Sequence, residues 1–220
     1  MQAIADKFAP YSELALQLLP HVDFGGDAAH DYGHLLRVWR NVVSIQAVEG
    51  GDLEVLCASS ILHDAVHVEK SSPLRSKASR LAAQKASEVL TDLGWSLDRI
   101  VSVAIAVEAH SYSANLDATT IEARVLQDAD RLDALGAVGI ARCFYVSGRL
   151  GRPLYDLEDP GAAHRTLDDI RFSLDHIETK LLRLWPTFKT EEGKRQAKVR
   201  HDRLQEFLNN FLQEVLSASA

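Results

Sequence analysis

The stretch Leu53 to Leu62 is an apolar helical run that ends on a histidine and an aspartate, His63 and Asp64. A helix that is apolar around most of its girth belongs in a core. A core helix has little use for an adjacent imidazole and carboxylate unless something binds them. Neighbouring helical residues point about 100° apart, so both side chains can converge on one ion lying between their two directions. Imidazole nitrogen and carboxylate oxygen are both good ligands for a divalent metal. His30 and His34 lie upstream of the run, and Asp128, Asp130 and Asp133 lie downstream. The pattern predicts three or four helices around one divalent metal that does hydrolytic chemistry.

The rest of the chain supports an all-α fold. Apolar residues recur at spacings of three and four, and alternating strand patterns are nearly absent. The spacing predicts a first helix from about Lys7 to Leu19, stopped by Pro20. A loop with Gly25-Gly26 follows, and Asp27 is placed to cap a helix from about Ala28 to Glu49. On that helix His30, His34 and Arg37 fall on one face. Asp52 caps the run into His63-Asp64, and the polar stretch from Ala65 to Pro73 reads as an active-site loop. Further helices are expected at about Ser76–Leu93, Leu97–Glu108 and Ile121–Leu135, the last capped by Thr119 or Thr120. Glycines punctuate the region from Gly136 to Tyr155, a helix is expected at Leu167–Leu184, and a last amphipathic helix runs from Thr190 to about Leu216. The broad apolar face of that last helix suits either the core or a homodimer interface.

The net charge is -7 with histidines neutral. That balance argues against an extended basic nucleic-acid track, and nucleic acid is not the favoured partner. Phosphate handled on an acidic protein needs metal or a few placed basic side chains. Cys57 and Cys143 are the only cysteines and read as buried thiols. No stretch approaches the roughly 18 consecutive apolar residues of a membrane span, and the N-terminal residues lack the pattern of a secretory signal. A cytoplasmic protein with no membrane partner is the expectation.

From the residues alone, Asp130 on a mostly apolar helix needs a cation, and Arg124 or Arg131 would serve as well as a metal. The arrangement His34…His63-Asp64…Asp130 resembles the HD superfamily of metal-dependent phosphohydrolases. Longer strings carry the likeness to its bacterial YedJ/YpgQ branch: residues 30–38, 108–113, 127–136, 142–144, 148–155 and 176–182. The resemblance implies an HD-domain helical bundle with a C-terminal helical extension. It places a single HD-type domain over residues 1–220, with the core at about 28–136 and an accessory helical layer at about 137–220. It also implies that His34, His63, Asp64 and Asp130 ligate one divalent ion. Manganese is favoured, because two histidines and two carboxylates leave water positions on a five- or six-coordinate ion; magnesium, cobalt, nickel, iron and zinc are the alternatives. Asp128 points about 200° away from Asp130 and is left out of the ligand set.

Asp64 is the residue expected to orient the attacking water. His30, Glu69, His110 and Asp133 are the candidates for taking its proton, and Asp133 is alternatively a hydrogen-bond partner for a ligand histidine. Lys70 is expected at the reacting phosphate. Arg37, Lys70, Arg75, His110, Arg149 and Arg152 are the expected substrate contacts, since guanidinium grips phosphate in bidentate fashion and ammonium acts as a point charge. His67 sits in the loop after the metal pair, and Tyr112 or Tyr155 is a candidate for stacking on a base. The resemblance implies a small phosphorylated substrate, a nucleotide, with nucleoside triphosphate cleaved to monophosphate and pyrophosphate. The alternatives are a nucleoside monophosphatase or other small-molecule phosphatase, and a non-catalytic, metal-dependent nucleotide sensor.

Overall fold

The computed structural model describes residues 1–25, 31–68, 72, 74–111, 114 and 116–216, without the side chain of Arg75. Among these residues every regular element is helical, as the periodicity predicts. The chain forms two compact units. The first comprises Met1–Asp130 with Lys189–Gly193, and the second comprises Arg131–Phe188 with Lys194 onward.

The first unit opens with a short helix α1 (Gln2–Ala5) and a tight turn, then α2 (Ser12–Leu18). The single helix expected from Lys7 is therefore broken. Ala9, just before Pro10, is extended at φ -48° and ψ 140°, because proline disfavours the helical conformation of the residue before it. The next helix, α3 (Tyr32–Glu49), starts later than the spacing suggests. Its N-cap is Asp31, whose carboxylate accepts the His34 backbone N–H at 3.0 Å. The expected cap Asp27 lies outside the described residues.

Helix α4 (Leu53–Leu62) is the centre of this unit. Asp52 caps it by accepting from the N–H groups of Glu54 and Val55. Every residue from Val55 to Leu62 is buried. Two of them are serines, made tolerable by donating back to carbonyls one turn earlier: Ser59 to Val55 at 2.8 Å and Ser60 to Leu56 at 2.7 Å. Helices α5 (Ala78–Asp92) and α6 (Leu97–His110) form a hairpin, and α2, α3, α5 and α6 all pack on α4. Gly94 makes the hairpin turn at φ +75°. Helix α7 (Ile121–Leu132) starts where Thr120 Oγ1 accepts the Ala123 N–H. Asp128 on α7 is fully buried. Its carboxylate takes the N–H groups of Lys189 and Thr190 and the Thr190 hydroxyl, at 2.7–3.0 Å.

The second unit contains α8 (Gly136–Arg149), α9 (Ser173–His176) and most of α10 (Glu191–Leu216). The glycine-punctuated region is thus helical as far as Arg149. The helix expected from Leu167 begins only at Ser173. Asp168 interrupts it by accepting the N–H groups of Ile170 and Arg171 at 3.1 Å, while its own N–H goes to Asp175 at 2.6 Å. These local side-chain bonds offer the backbone an alternative to a helix. Arg165 completes the knot with a bidentate pair to the buried Asp175. The apolar face of α10 is used within this unit. Leu204 and Leu208 are buried, and Phe207 and Phe211 pack on Phe144 of α8, with Tyr155 against Phe211. No helix among the described residues is long and apolar enough to cross a membrane.

Candidate metal centre

His63 and Asp64 follow the last turn of α4, His34 comes from the first turn of α3, Asp130 from α7 and His110 from the last turn of α6. All five belong to the first unit. His34 Nε2 lies 3.2 Å from His63 Nε2. The Asp130 carboxylate lies 3.5 Å from His34 Nε2 and 3.9 Å from His63 Nε2. Asp64 turns one oxygen to each of two histidines, Oδ2 to His63 Nε2 at 3.5 Å and Oδ1 to His110 Nε2 at 3.6 Å.

The tautomer of His63 is set from behind. Its Nδ1 donates to the Ser60 carbonyl at 2.9 Å, which leaves Nε2 as a bare lone pair facing the cluster. Burial pushes the His63 imidazole down to about 4, against the opposing pull of Asp64. The ring is therefore neutral near pH 7, the form in which histidine ligates a metal. His110 is held the same way, with Nδ1 donating to the Val107 carbonyl at 2.6 Å. Burial lowers its basicity, but the hydrogen bond and charge of Asp64 outweigh that and raise it above the usual imidazole range.

A neutral ring nitrogen aimed at a second ring nitrogen and two carboxylates is an arrangement of acceptors, and it is favourable around a shared cation. Donor atoms of His34, His63 and Asp130 lie within 4.8 Å of one another, as do those of His63, Asp64 and His110. The residues present therefore fit a divalent ion, with His63 common to both groups. The imidazoles are buried, whereas the Asp64 and Asp130 side chains are 38% and 26% exposed. The site is closed on the histidine side and open on the carboxylate side.

The other expected site residues divide by place. Arg37 folds back along α3, its Nη1 lying 3.2 Å from where a Cβ on Gly33 would sit. His67 packs on Gly25, where φ is +53° and any Cβ would run into the imidazole. His30, Glu69, Lys70 and Tyr112, and the Arg75 side chain, lie outside the described residues. In the second unit the buried Asp133 pairs with Arg142 at 2.7 Å. Arg149 lies over the Tyr145 ring at 5.9 Å, and Arg152 donates to the Asp169 carbonyl at 3.2 Å. The two arginines that were alternative partners for Asp130 make other bonds: Arg124 to the Ala118 carbonyl and Arg131 to Thr187.

Two residues to which the sequence analysis assigns no role frame the site. Asn41 on α3 donates to the Ala129 carbonyl at 2.9 Å, and Gln127 on α7 donates to the Ala109 carbonyl at 2.7 Å. They tie α3 and α6 to α7 beside Asp130 and His110. Asn41 stands seven residues after His34, on the same face of α3, and that spacing is the one sequence signal that could have pointed to it.

The chain is similar to several known proteins. Residues 31–135 match the HD domain family. The uncharacterized protein YpgQ of Bacillus subtilis (strain 168) is 28% identical over 190 residues, covering 86% of this chain and 85% of that protein. The crystal structure of an HD-superfamily hydrolase from Bacillus thuringiensis is similar with a TM-score of 0.69 at 29% identity, over 98% of this chain and 97% of that one. The crystal structure of Bacillus subtilis YpgQ in complex with ADP is similar with a TM-score of 0.69 at 26% identity, over 97% of this chain and 98% of that one. Residues 31–135 of the chain thus carry the HD domain, and nearly the whole chain is similar to an HD-superfamily hydrolase and to YpgQ.

Proposed function

We propose that this protein is a metal-dependent phosphohydrolase acting on nucleotides, and that it cleaves a nucleoside triphosphate to the monophosphate and pyrophosphate. The observation that carries this reading is the convergence of His34, His63, Asp64 and Asp130, with His63 buried, neutral and aimed at both carboxylates. These four residues would hold one divalent ion, manganese being our choice for a mixed imidazole and carboxylate set. When bound, such an ion lowers the pKa of a coordinated water and offsets charge on phosphate oxygens. The structure of YpgQ with ADP supports a nucleotide as the ligand of that relative.

The chain's own residues would do the rest. Asp64, partly exposed and held between His63 and His110, orients the water. The water oxygen attacks the α-phosphorus, the bond to the bridging oxygen of the β-phosphate breaks, and pyrophosphate leaves in line. His110, beside the outer oxygen of Asp64, is placed to hold or pass a proton there. Arg37 is the substrate contact nearest in sequence to the ligands. We propose Lys70, Arg75, Arg149 and Arg152 as further phosphate partners, and His30 and Asp133 as proton-handling or supporting groups.

The test is a product-resolved assay. Metal-stripped protein is reloaded with manganese, magnesium, cobalt, nickel, iron or zinc and given nucleoside mono-, di- and triphosphates. Monophosphate plus pyrophosphate from a triphosphate, lost in Asp64→Ala, is the expected result. Free phosphate from a monophosphate would instead make the protein a nucleotidase. Metal and nucleotide binding without turnover under any ion would replace the hydrolase with a sensor.

A further inference from the structure

The second unit gathers Arg152 and Lys180 around the half-buried imidazole of His176. The backbone fixes their places. Beyond α8, the carbonyls of Pro153 and Leu154 accept the N–H groups of Ser173 and Leu174 at 3.1 and 2.9 Å, and the Ser173 hydroxyl also donates to Pro153. Arg152 is thereby held at the start of α9. Its Nη1 donates to the Asp169 carbonyl at 3.2 Å, a neutral oxygen that leaves the guanidinium charge uncancelled. After α9 the helix changes register. Residues Ile177–Leu181 form a π-helical turn, and the Leu182 N–H reaches the Ile177 carbonyl at 2.9 Å. A π turn closes over one more residue than an α turn; it is rare, and where it occurs it frequently shapes a functional site. Here it brings Lys180 to His176. Of the charges acting on that ring Lys180 is the strongest, and Arg152 acts in the same direction.

Burial, then Lys180 and Arg152, hold the His176 imidazole below its ordinary range, against the pull of Asp169. The ring is therefore neutral near pH 7. Its Nδ1 is shut off from water and has no hydrogen-bond partner among the described residues. Asp169 Oδ2 stands 3.6 Å away, too far for a good hydrogen bond. Neighbouring carboxylates are engaged elsewhere: Asp175 with Arg165 and the Asp168 N–H, and Asp168 with the N–H groups of Ile170 and Arg171. The result is a local excess of positive charge on a protein whose net charge is -7. The three side chains suit a phosphoryl group. A guanidinium fork grips two oxygens, an ammonium supplies a point charge, and an imidazole gains a proton as a dianion arrives.

We propose that Arg152, His176 and Lys180 form a binding site for a phosphoryl group, carried by a phosphate ester or by inorganic pyrophosphate. The site belongs wholly to the second unit and does not rest on the metal centre or on the hydrolase reading. On docking of the anion, His176 takes a proton from solvent and becomes the third cation around it, with Asp169 on its other side.

Calorimetric titration of the full-length protein with inorganic pyrophosphate tests this, in the presence of a chelator so that no ion bridges the anion to the metal centre. The wild type is expected to bind. Lys180→Ala and Arg152→Ala are each expected to weaken binding about tenfold or more, with unchanged circular dichroism spectra, and Lys180→Arg to retain most of it. Arg80→Ala removes a side chain 76% exposed in the first unit and is expected to change nothing. The ring 15N signals of His176, assigned by their loss in His176→Gln, are expected to move from the neutral to the imidazolium position at pH 7.5 as pyrophosphate is added. Displacement of pyrophosphate by a nucleoside triphosphate would assign the site to the phosphates of a nucleotide, and retention would assign it to the inorganic anion. A folded wild type that binds no pyrophosphate would overturn the proposal. So would binding that Lys180→Ala leaves intact, or a His176 ring that stays neutral in the bound state.

Discussion

At the scale of single residues, the proposed metal site rests on His34, His63 and Asp130, whose donor atoms lie within 4.8 Å of one another. Replacing His34, His63 or Asp130 with alanine is expected to abolish stoichiometric metal binding, read by elemental analysis of dialysed protein. Turnover should fall by more than about 100-fold, beyond the usual cost of losing a contact that only supports a ligand. A second expectation concerns Cys57. Its thiol is fully buried in α4, and burial pushes it well above the ordinary thiol value of 9.0. The folded protein keeps this proton while the unfolded chain releases it. The contribution is therefore whole below pH 9.0 and is lost as pH rises past it. The native protein should resist alkylation of Cys57 at pH 8.5, and Cys57→Ala should reduce the loss of stability between pH 8.5 and 10 in urea titrations. The distinction between Asp128 and Asp130 was legible at this scale, because two residues of helix turn a side chain to another side. What Asp128 binds was not, since its partners Lys189 and Thr190 are 61 and 62 residues away.

At the scale of elements, caps decide where helices begin. Asp31→Ala removes the N-cap of α3 and should cost about 1 kcal/mol in denaturant midpoint analysis. Asp128→Ala strips four backbone and hydroxyl contacts at the start of α10 and leaves buried donors unmet. A loss of about 2–4 kcal/mol is expected, measured by calorimetry. Gly193 belongs to the same junction, since a Cβ there would sit 2.5 Å from Asp128 Oδ2. Periodicity marks α5, α6 and α10 because each buries a stripe of its own, and α4 stands out as an unbroken apolar run because it is buried all round. It overruns the start of α9, because Asp168 and Asp175 draw the N–H groups of residues 168, 170 and 171 into side-chain bonds that leave the apolar spacing unchanged.

For the whole molecule, a ligand that binds only the folded state adds stability by mass action. Free metal at about 100 times its dissociation constant should add about 2.7 kcal/mol. The thermal midpoint should therefore fall when a chelator is added and recover when the divalent ion returns. An unchanged midpoint would mean that no ion is held by the folded cluster. The all-helical class, the burial of α4 and the likeness to the HD family were readable along the chain, because hydrophobic period and a short run of adjacent residues are local properties. Helix packing settled that rings from α3 and the end of α4 meet a carboxylate from α7, and that the His110 ring of α6 meets Asp64. It also decided that backbone carbonyls at Ser60 and Val107 orient two of those rings, and that Asp133 pairs with Arg142. Those are meetings between distant segments, set by how helices pack, and no spacing along the chain encodes the distance between two side chains on different helices.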